Sequence, residues 1–330
     1  MSVPRTRAEL IEDRGEAAVS DHFFRSRPFL DAEGVTHTLR IESESGDLLA
    51  PLIVRAIGDG PERDAISPYG YPGLTVLPGG RALSRIAQQS STTEDESSVA
   101  VDPAEVDFTA TGLVSAFIRH RLGPPPLSAA TPRNVVQIAD PALPPKSRPS
   151  DRRQIRRNLE DGYELRLVPG TETTATQRAG FLDVYEQTMR RTAAAAHYFF
   201  GAAYFDRVLE ADRTWLVAAV APGGVLAAAS LAAVSDGFLH YYLSGSADSH
   251  LRDSPMKNVV ARLIEHSIDL GLPLNLGGGI AAGDALEEFK RGFANREEAW
   301  WTSELVCDAR RYELLSAGRE PAGFFPAYRA

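Results

Sequence analysis

The sequence predicts a mixed α/β (α+β) protein of two domains, 1–145 and 146–330, each a mixed central sheet flanked by helices. Three observations support this. A chain of 330 residues is long enough for about two domains of ordinary size. Short apolar runs alternate with segments of helical period along its whole length, a pattern that excludes an all-α or all-β chain. Eight prolines fall between residues 122 and 150, bracket one apolar run, NVVQIA, and mark a crossing between domains.

In the first domain THTLRIES, LLAPLIVRAIG and GLTVLP read as strands, GGRALSRIAQQ as a helix, and SSTTEDESS as a polar tract. EVDFTA reads as a strand, and TGLVSAFIRHRLG as a helix from the spacing of Leu113 and Phe117. The second domain opens with a basic helix and strand in DRRQIRRNLEDGYELRLVPG, then one or two helices over 171–211. Residues 215–235 are uncharged, but Pro222-Gly223-Gly224 interrupts them, so they predict a buried β-hairpin rather than a membrane span. The strands TWLVAAVA, GVLAAASLAAV and GFLHYYLSGS precede the helix PMKNVVARLIEHSIDLG. The strand LPLNLGGG, the helix GDALEEFKRGF and the strand EAWWTSELVCD follow it. Helix, three meandering strands, helix, strand, helix, strand is the order of an acyltransferase fold of the GNAT type, in which a mixed sheet splays open to admit an acyl donor.

A hydrophobic share of 43% against 24% charged excludes collagen, coiled coil and wholesale disorder. The formal charge of −9 excludes a global field that draws the chain to nucleic acid or anionic lipid, so any RNA contact is local. The single cysteine, Cys307, closes no intrachain disulfide, and the first twenty residues hold no apolar signal core; both point to the cytoplasm. No G-x-S-x-G, H-E-x-x-H or Walker pattern occurs, the histidines have no metal-ligand spacing, and no metal or other cofactor is expected. Gly277, Gly278, Gly279 and Gly283 miss the dinucleotide spacing and predict a tight turn. Where a coenzyme-A-using GNAT enzyme holds the pyrophosphate on glycine amides, this chain reads SGSADSHLRDSPMKN, whose Asp248 and Asp253 oppose a diphosphate.

The segments SPYGYPG (67–73), FLDVYEQTMRRTAAAAHYFFGAAYF (181–205), LHYYLSGS (239–246) and LNLGGG followed by DALEEFKRGF (274–293) resemble the FemABX family of aminoacyl-tRNA-dependent transferases, which carry two GNAT-like domains. No segment matches the helical arm of some members. The resemblance implies that Lys290, in the Phe-Lys motif, stabilises the oxyanion of peptide-bond formation as a catalytic ammonium. It also implies that Arg191 and Tyr198 line an acceptor pocket.

From the residues themselves, Lys290 lies at the flank of an apolar helix face, four after Leu286 and three before Phe293, which also suits a snorkelling surface lysine. Only Lys146, Lys257 and Lys290 are lysines in a chain of arginines, which enriches each for a position needing a compact ammonium. Tyr69 and Tyr71 are substrate contacts or core aromatics. Tyr241 and Tyr242 alternate across a strand, and Tyr242 with Ser244 is assigned to the cleft side as substrate-binding. Arg152, Arg153, Arg156 and Arg157 form a basic stripe on one helix, either a solvated face or a tRNA-binding surface. The expected activity is transfer of an aminoacyl group from aminoacyl-tRNA to the primary amine of a small acceptor, a peptidoglycan precursor or an antibiotic intermediate. The alternatives are an acyl-CoA-dependent GNAT N-acyltransferase and a degenerate GNAT domain that only binds.

Overall fold

The computed structural model describes residues 6–43, 46–78, 101–281, 283–319 and 323–330; the expected helix at GGRALSRIAQQ and the tract SSTTEDESS lie outside them. The chain forms two compact units. The first comprises Met1–Ser20, Glu33–Arg133 and Ala299–Ala330, the second Asp21–Ala32 and Asn134–Glu298. Each unit is therefore discontinuous in sequence, where the sequence reading cut the chain once at 145/146. Two pairings cause this. Residues 302–306 hydrogen-bond as a strand to 115–119 in the first unit, and the aromatics of 21–32 pack on Tyr242 in the second.

The first unit holds a mixed sheet. Its strands are β1 (Thr6–Glu12), β2 (His37–Ile41), β3 (Gly46–Ala56), β4 (Arg63–Ile66), β5 (Thr75–Pro78), β6 (Val106–Asp107) and β7 (Leu113–Arg119). The order is β6-β1-β2-β3-β4-β7, with β5 on β3 and β6/β1 and β4/β7 parallel. Residues 113–119 are a strand, not the expected helix. β7 lies between β4 and residues 302–306, and Leu113, Val114, Ala116 and Ile118 are all buried, so both of its faces bury apolar residues and no strict alternation marks it as a strand. The fully buried Asp64 carboxylate gathers Arg55 Nε at 2.9 Å, Arg329 Nη2 at 3.0 Å and the Tyr328 hydroxyl at 3.3 Å, which pins the last residues to β4.

From residue 149 to 291 the second unit holds the order of elements expected there, and it adds a strand at 134–139 and residues 21–32. Its strands are β8 (Thr131–Ala139, from Asn134 onward), β9 (Glu164–Pro169), β10 (Thr214–Ala221), β11 (Val225–Ser235), β12 (Phe238–Ser246) and β13 (Leu274–Gly277), in the order β8-β13-β12-β11-β10-β9. Only β12/β13 is parallel. The expected hairpin is β10/β11, turning at Gly223 and Gly224, both at positive φ.

The helices of this unit are α1 (Arg27–Glu33), α2 (Pro149–Glu160), α3 (Ala175–Arg191), α4 (Ala202–Val208), α5 (Met256–Leu270) and α6 (Ala285–Arg291). β14 (Arg296–Val306) and α7 (Ala309–Ser316) complete the described elements. α5 sets Val259, Val260 and Leu263 against Val217, Ala219 and Ala221, every second residue of β10. α3 sits so close to β12 that a Cβ on Gly245 would lie 2.3 Å from the Val184 carbonyl oxygen. No helix among the described residues is long and apolar enough to cross a membrane.

Candidate active site

β12 and β13 pair at only two positions, Leu239 with Leu274 and His240 with Asn275. Beyond them β12 runs on to Ser246 without β13, so the sheet splays at Tyr241. A bulge lies here as well: Leu231 opposes Leu243 and Ala232 opposes Tyr241, leaving Tyr242 as the extra residue. Simple alternation therefore fails. Tyr242 stands edge-on to Phe23, Phe24 and Phe29, and its hydroxyl meets that of Tyr204 at 2.6 Å. Tyr241, not Tyr242, hydrogen-bonds Ser244, hydroxyl to Oγ at 2.6 Å. Its ring packs against the apolar core of this unit, and burial pushes its phenol up to about 12.

The Lys290 ammonium lies 5.9 Å from the centre of that Tyr241 ring. Asp284 begins its helix as N-cap, accepting from the Glu287 N–H at 2.7 Å and, on its other oxygen, from Ile280 N at 2.7 Å and Ala281 N at 3.0 Å. One carboxylate thus folds the glycine loop and starts α6. Gly277 takes φ +76°, and a Cβ on Gly278 or Gly279 would meet the Val135 carbonyl at 2.8 Å or Asp284 Oδ1 at 2.4 Å. The tight turn expected from the glycines is this loop.

Lys290 is only 8% exposed, so its head does not reach solvent in the manner of a surface lysine. Nζ donates to the Gly278 carbonyl at 2.7 Å and makes no ion pair among the described residues. Burial lowers its pKa from 10.5 to about 8, against a smaller upward pull from Asp284. A buried ammonium with one carbonyl acceptor and two further N–H donors is a site for an oxygen that carries, or acquires, negative charge.

The turn from β12 to α5, over Asp248–Asp253, is closed by side chains. Arg191 ion-pairs with Asp248 and donates to the Ser246 carbonyl at 3.3 Å. Tyr163 donates its hydroxyl to Asp253 at 2.7 Å and meets His250 Nδ1 at 3.0 Å; burial, then Asp253, raises its pKa. Asn158 donates to the Asp253 carbonyl at 2.8 Å and to Asn258 Oδ1 at 2.7 Å. Lys257 joins Asp151 at 2.9 Å. No glycine amides face a ligand here.

Arg191 is thus paired with the loop rather than presented to an anionic acceptor. Tyr198 is half-buried, its ring centre lies 4.1 Å from that of His197 at a tilt of 44°, and its carbonyl accepts from the Tyr185 hydroxyl. In the first unit the Tyr69 N–H donates to Glu33 Oε2 at 2.8 Å and Tyr71 stands edge-on to Trp300 at 5.9 Å. Gly73 closes that turn at φ +59°, where a Cβ would sit 2.9 Å from the Arg121 amide nitrogen. Arg152, Arg153, Arg156 and Arg157 are all exposed on α2.

Sequence reasoning missed Tyr241, His240 and Asn275. The bulge that selects Tyr241 has no sequence signal, but a polar His and Asn inside the apolar runs LHYYLS and LPLNLG are a signal from which the other two could have been found.

A family model described as an acetyltransferase (GNAT) domain matches residues 145–291. No curated protein matches the chain by sequence. Among solved structures, the crystal structure of FemX aligns with a TM-score of 0.59 at 9% identity, over 93% of this chain and 99% of that one. The C-terminal domain of a protein from Agrobacterium fabrum named as a lysylphosphatidylglycerol synthetase aligns with 0.55 at 13%, over 91% and 92%. L-PGS from Bacillus licheniformis aligns with 0.51 at 11%, over 90% and 93%. At these identities the likeness is one of fold, and it runs through both units. Over the residues that this model matches, the chain carries the element order of a GNAT fold.

Proposed function

We propose that the protein moves an aminoacyl group from aminoacyl-tRNA to the primary amine of a small acceptor, forming an amide. The observation that supports this most directly is the buried Lys290 ammonium, hydrogen-bonded to one carbonyl and paired with no carboxylate among the described residues. The amine nitrogen attacks the ester carbonyl carbon, the C–N bond forms, and the π pair moves onto oxygen. Lys290 stabilises that oxyanion, which exists only on the way to product. Collapse breaks the C–O bond to the terminal ribose, and the proton lost by the amine ends on the departing hydroxyl. Tyr241 and Ser244 form the wall beneath the ammonium. Tyr69, Tyr71, Tyr198 and Tyr242 are assigned to binding and shaping the substrate sites, and Arg191 to holding the donor-side loop.

The α2 arginines are assigned to the phosphates of the tRNA acceptor end. The closed turn at 248–253 argues against a coenzyme A pyrophosphate at that place. A second reading, acyl-CoA-dependent N-acylation, draws on the GNAT acetyltransferase match. Calorimetric titration with acetyl-CoA is expected to show no saturable micromolar binding, and RNase treatment of the charged donor is expected to abolish product. A tight coenzyme A complex, or transfer insensitive to RNase, would decide for the second reading.

A further inference from the structure

Behind Lys290 runs a chain of buried polar contacts that its catalytic assignment does not use. His240 is 2% exposed and Asn275 is 1% exposed, neighbours across the only two paired positions of β12 and β13. His240 Nε2 lies 3.2 Å from the Ser235 carbonyl, and its Nδ1 lies 3.0 Å from Asn275 Nδ2. Asn275 Oδ1 in turn accepts the Gly277 N–H at 2.8 Å. One protonation pattern satisfies all three contacts: Nε2–H donates to Ser235, and Nδ1 accepts from the Asn275 amide. Burial holds His240 neutral, with a pKa near 4, so this pattern is fixed across the physiological range. Gly277 is also the residue at φ +76°, and the next carbonyl, that of Gly278, is the acceptor of Lys290 Nζ.

We propose that Asn275, oriented by His240, is a positioning residue for the Lys290 ammonium: it fixes the Gly277 amide and, through it, the Gly278 carbonyl that holds Nζ. The proposal rests on the assignment of Lys290 as the oxyanion partner only for its effect on rate; its effect on the ammonium stands without it. The hydrogen bond to a carbonyl favours the charged amine, so loosening that carbonyl lowers the lysine pKa. Among the described residues, the titratable groups shown to act on Nζ are Tyr241 from β12 and Asp284 at the helix cap, while Glu287 and Arg291 on α6 pair with each other. Asn275→Ala leaves all of these in place.

The chain has three lysines, so 13Cε-lysine labelling gives three signals, with that of Lys290 assigned by its loss in Lys290→Met. In the wild type the Lys290 signal is expected to titrate with a midpoint near 8. Asn275→Ala should move that midpoint down by about half a unit or more and lower kcat several-fold with little change in KM. His240→Phe should move it the same way, and the double variant no further than Asn275→Ala alone, because both act through one amide. Asn275→Asp keeps the acceptor for Gly277 N–H and should not lower the midpoint. The Lys257 signal, set by Asp151, reports an intact fold. An unmoved Lys290 midpoint in folded Asn275→Ala, or in His240→Phe should the former not fold, would overturn the proposal. Equal transfer rates in wild type and Lys290→Met, with the midpoint still moved by Asn275→Ala, would instead overturn the catalytic assignment and leave the positioning intact.

Discussion

Lys290→Met is expected to remove most of the activity and at the same time to stabilise the protein at neutral pH. The folded chain holds this amine at a pKa of about 8 rather than 10.5, because burial disfavours its charge. That difference corresponds to about 3 kcal/mol at pH 7, where the ammonium is protonated in both folded and unfolded chains and the folded state carries the whole cost. Methionine removes the cost and keeps an unbranched chain of similar length, but leaves the Gly278 carbonyl without its donor, an offset of about 1 kcal/mol. A net gain of about 2 kcal/mol should appear in urea denaturation at pH 7.

The sign of the pH dependence follows. Between pH 8 and 10.5 the folded lysine releases its proton while the unfolded one keeps it, so wild-type stability rises relative to the variant, the gap closes at roughly pH 9.5, and by about pH 10.5 the wild type leads by about 1 kcal/mol. Single-turnover transfer at saturating acceptor should be about 100- to 1,000-fold slower in the variant at pH 7. The ratio of wild-type to variant rates should fall above pH 8, since only the ammonium serves the oxyanion. A variant less stable than wild type by the same amount at pH 7 and pH 10, or a rate ratio that climbs through pH 8, would refute the reasoning.

Gly245→Ala sets a Cβ 2.3 Å from the Val184 carbonyl oxygen, a backbone atom that cannot step aside, and should cost at least ~1–3 kcal/mol in chemical denaturation. Asp64→Asn leaves Arg55 and Arg329 facing a neutral amide at a fully buried position. The expected loss is about 3–5 kcal/mol, with the C-terminal residues the first to gain hydrogen exchange. Replacing Arg152, Arg153, Arg156 and Arg157 by glutamine should weaken tRNA binding and flatten its dependence on salt by about 0.7–0.9 per arginine that meets a phosphate, read from binding isotherms at several salt concentrations. An unchanged slope would make the stripe a solvated face. Acid–base behaviour elsewhere is quieter: burial pushes the Cys307 thiol up to about 12, so alkylation near pH 7 should be slow.

The sequence by itself determined the elements from 149 to 291 almost one for one, because each of these strands and helices announces its own period and end. The hairpin 214–235 turns at a Pro-Gly-Gly, α5 stops at Gly271, and α6 starts on the Asp284 cap, all local chemistry. Lys290 was legible as a candidate too, from lysine scarcity and its place four residues after Leu286. Other features depend on contacts between distant residues. Leu113 to Arg119 is a strand because β4 and residues 302–306 bury it from both edges, which no window of its own residues encodes. Residues 21–32 join the second unit because Phe23, Phe24 and Phe29 meet Tyr242 some two hundred positions on. Tyr241 rather than Tyr242 lies under Lys290 because one bulged residue shifts the alternation of β12. Arg191 is committed to Asp248, and the Lys290 ammonium is buried without a carboxylate partner among the described residues, because packing decides which charges find partners. Periodicity and caps are written along the chain; register, bulges and the pairing of charges are set only when strands distant in sequence come together.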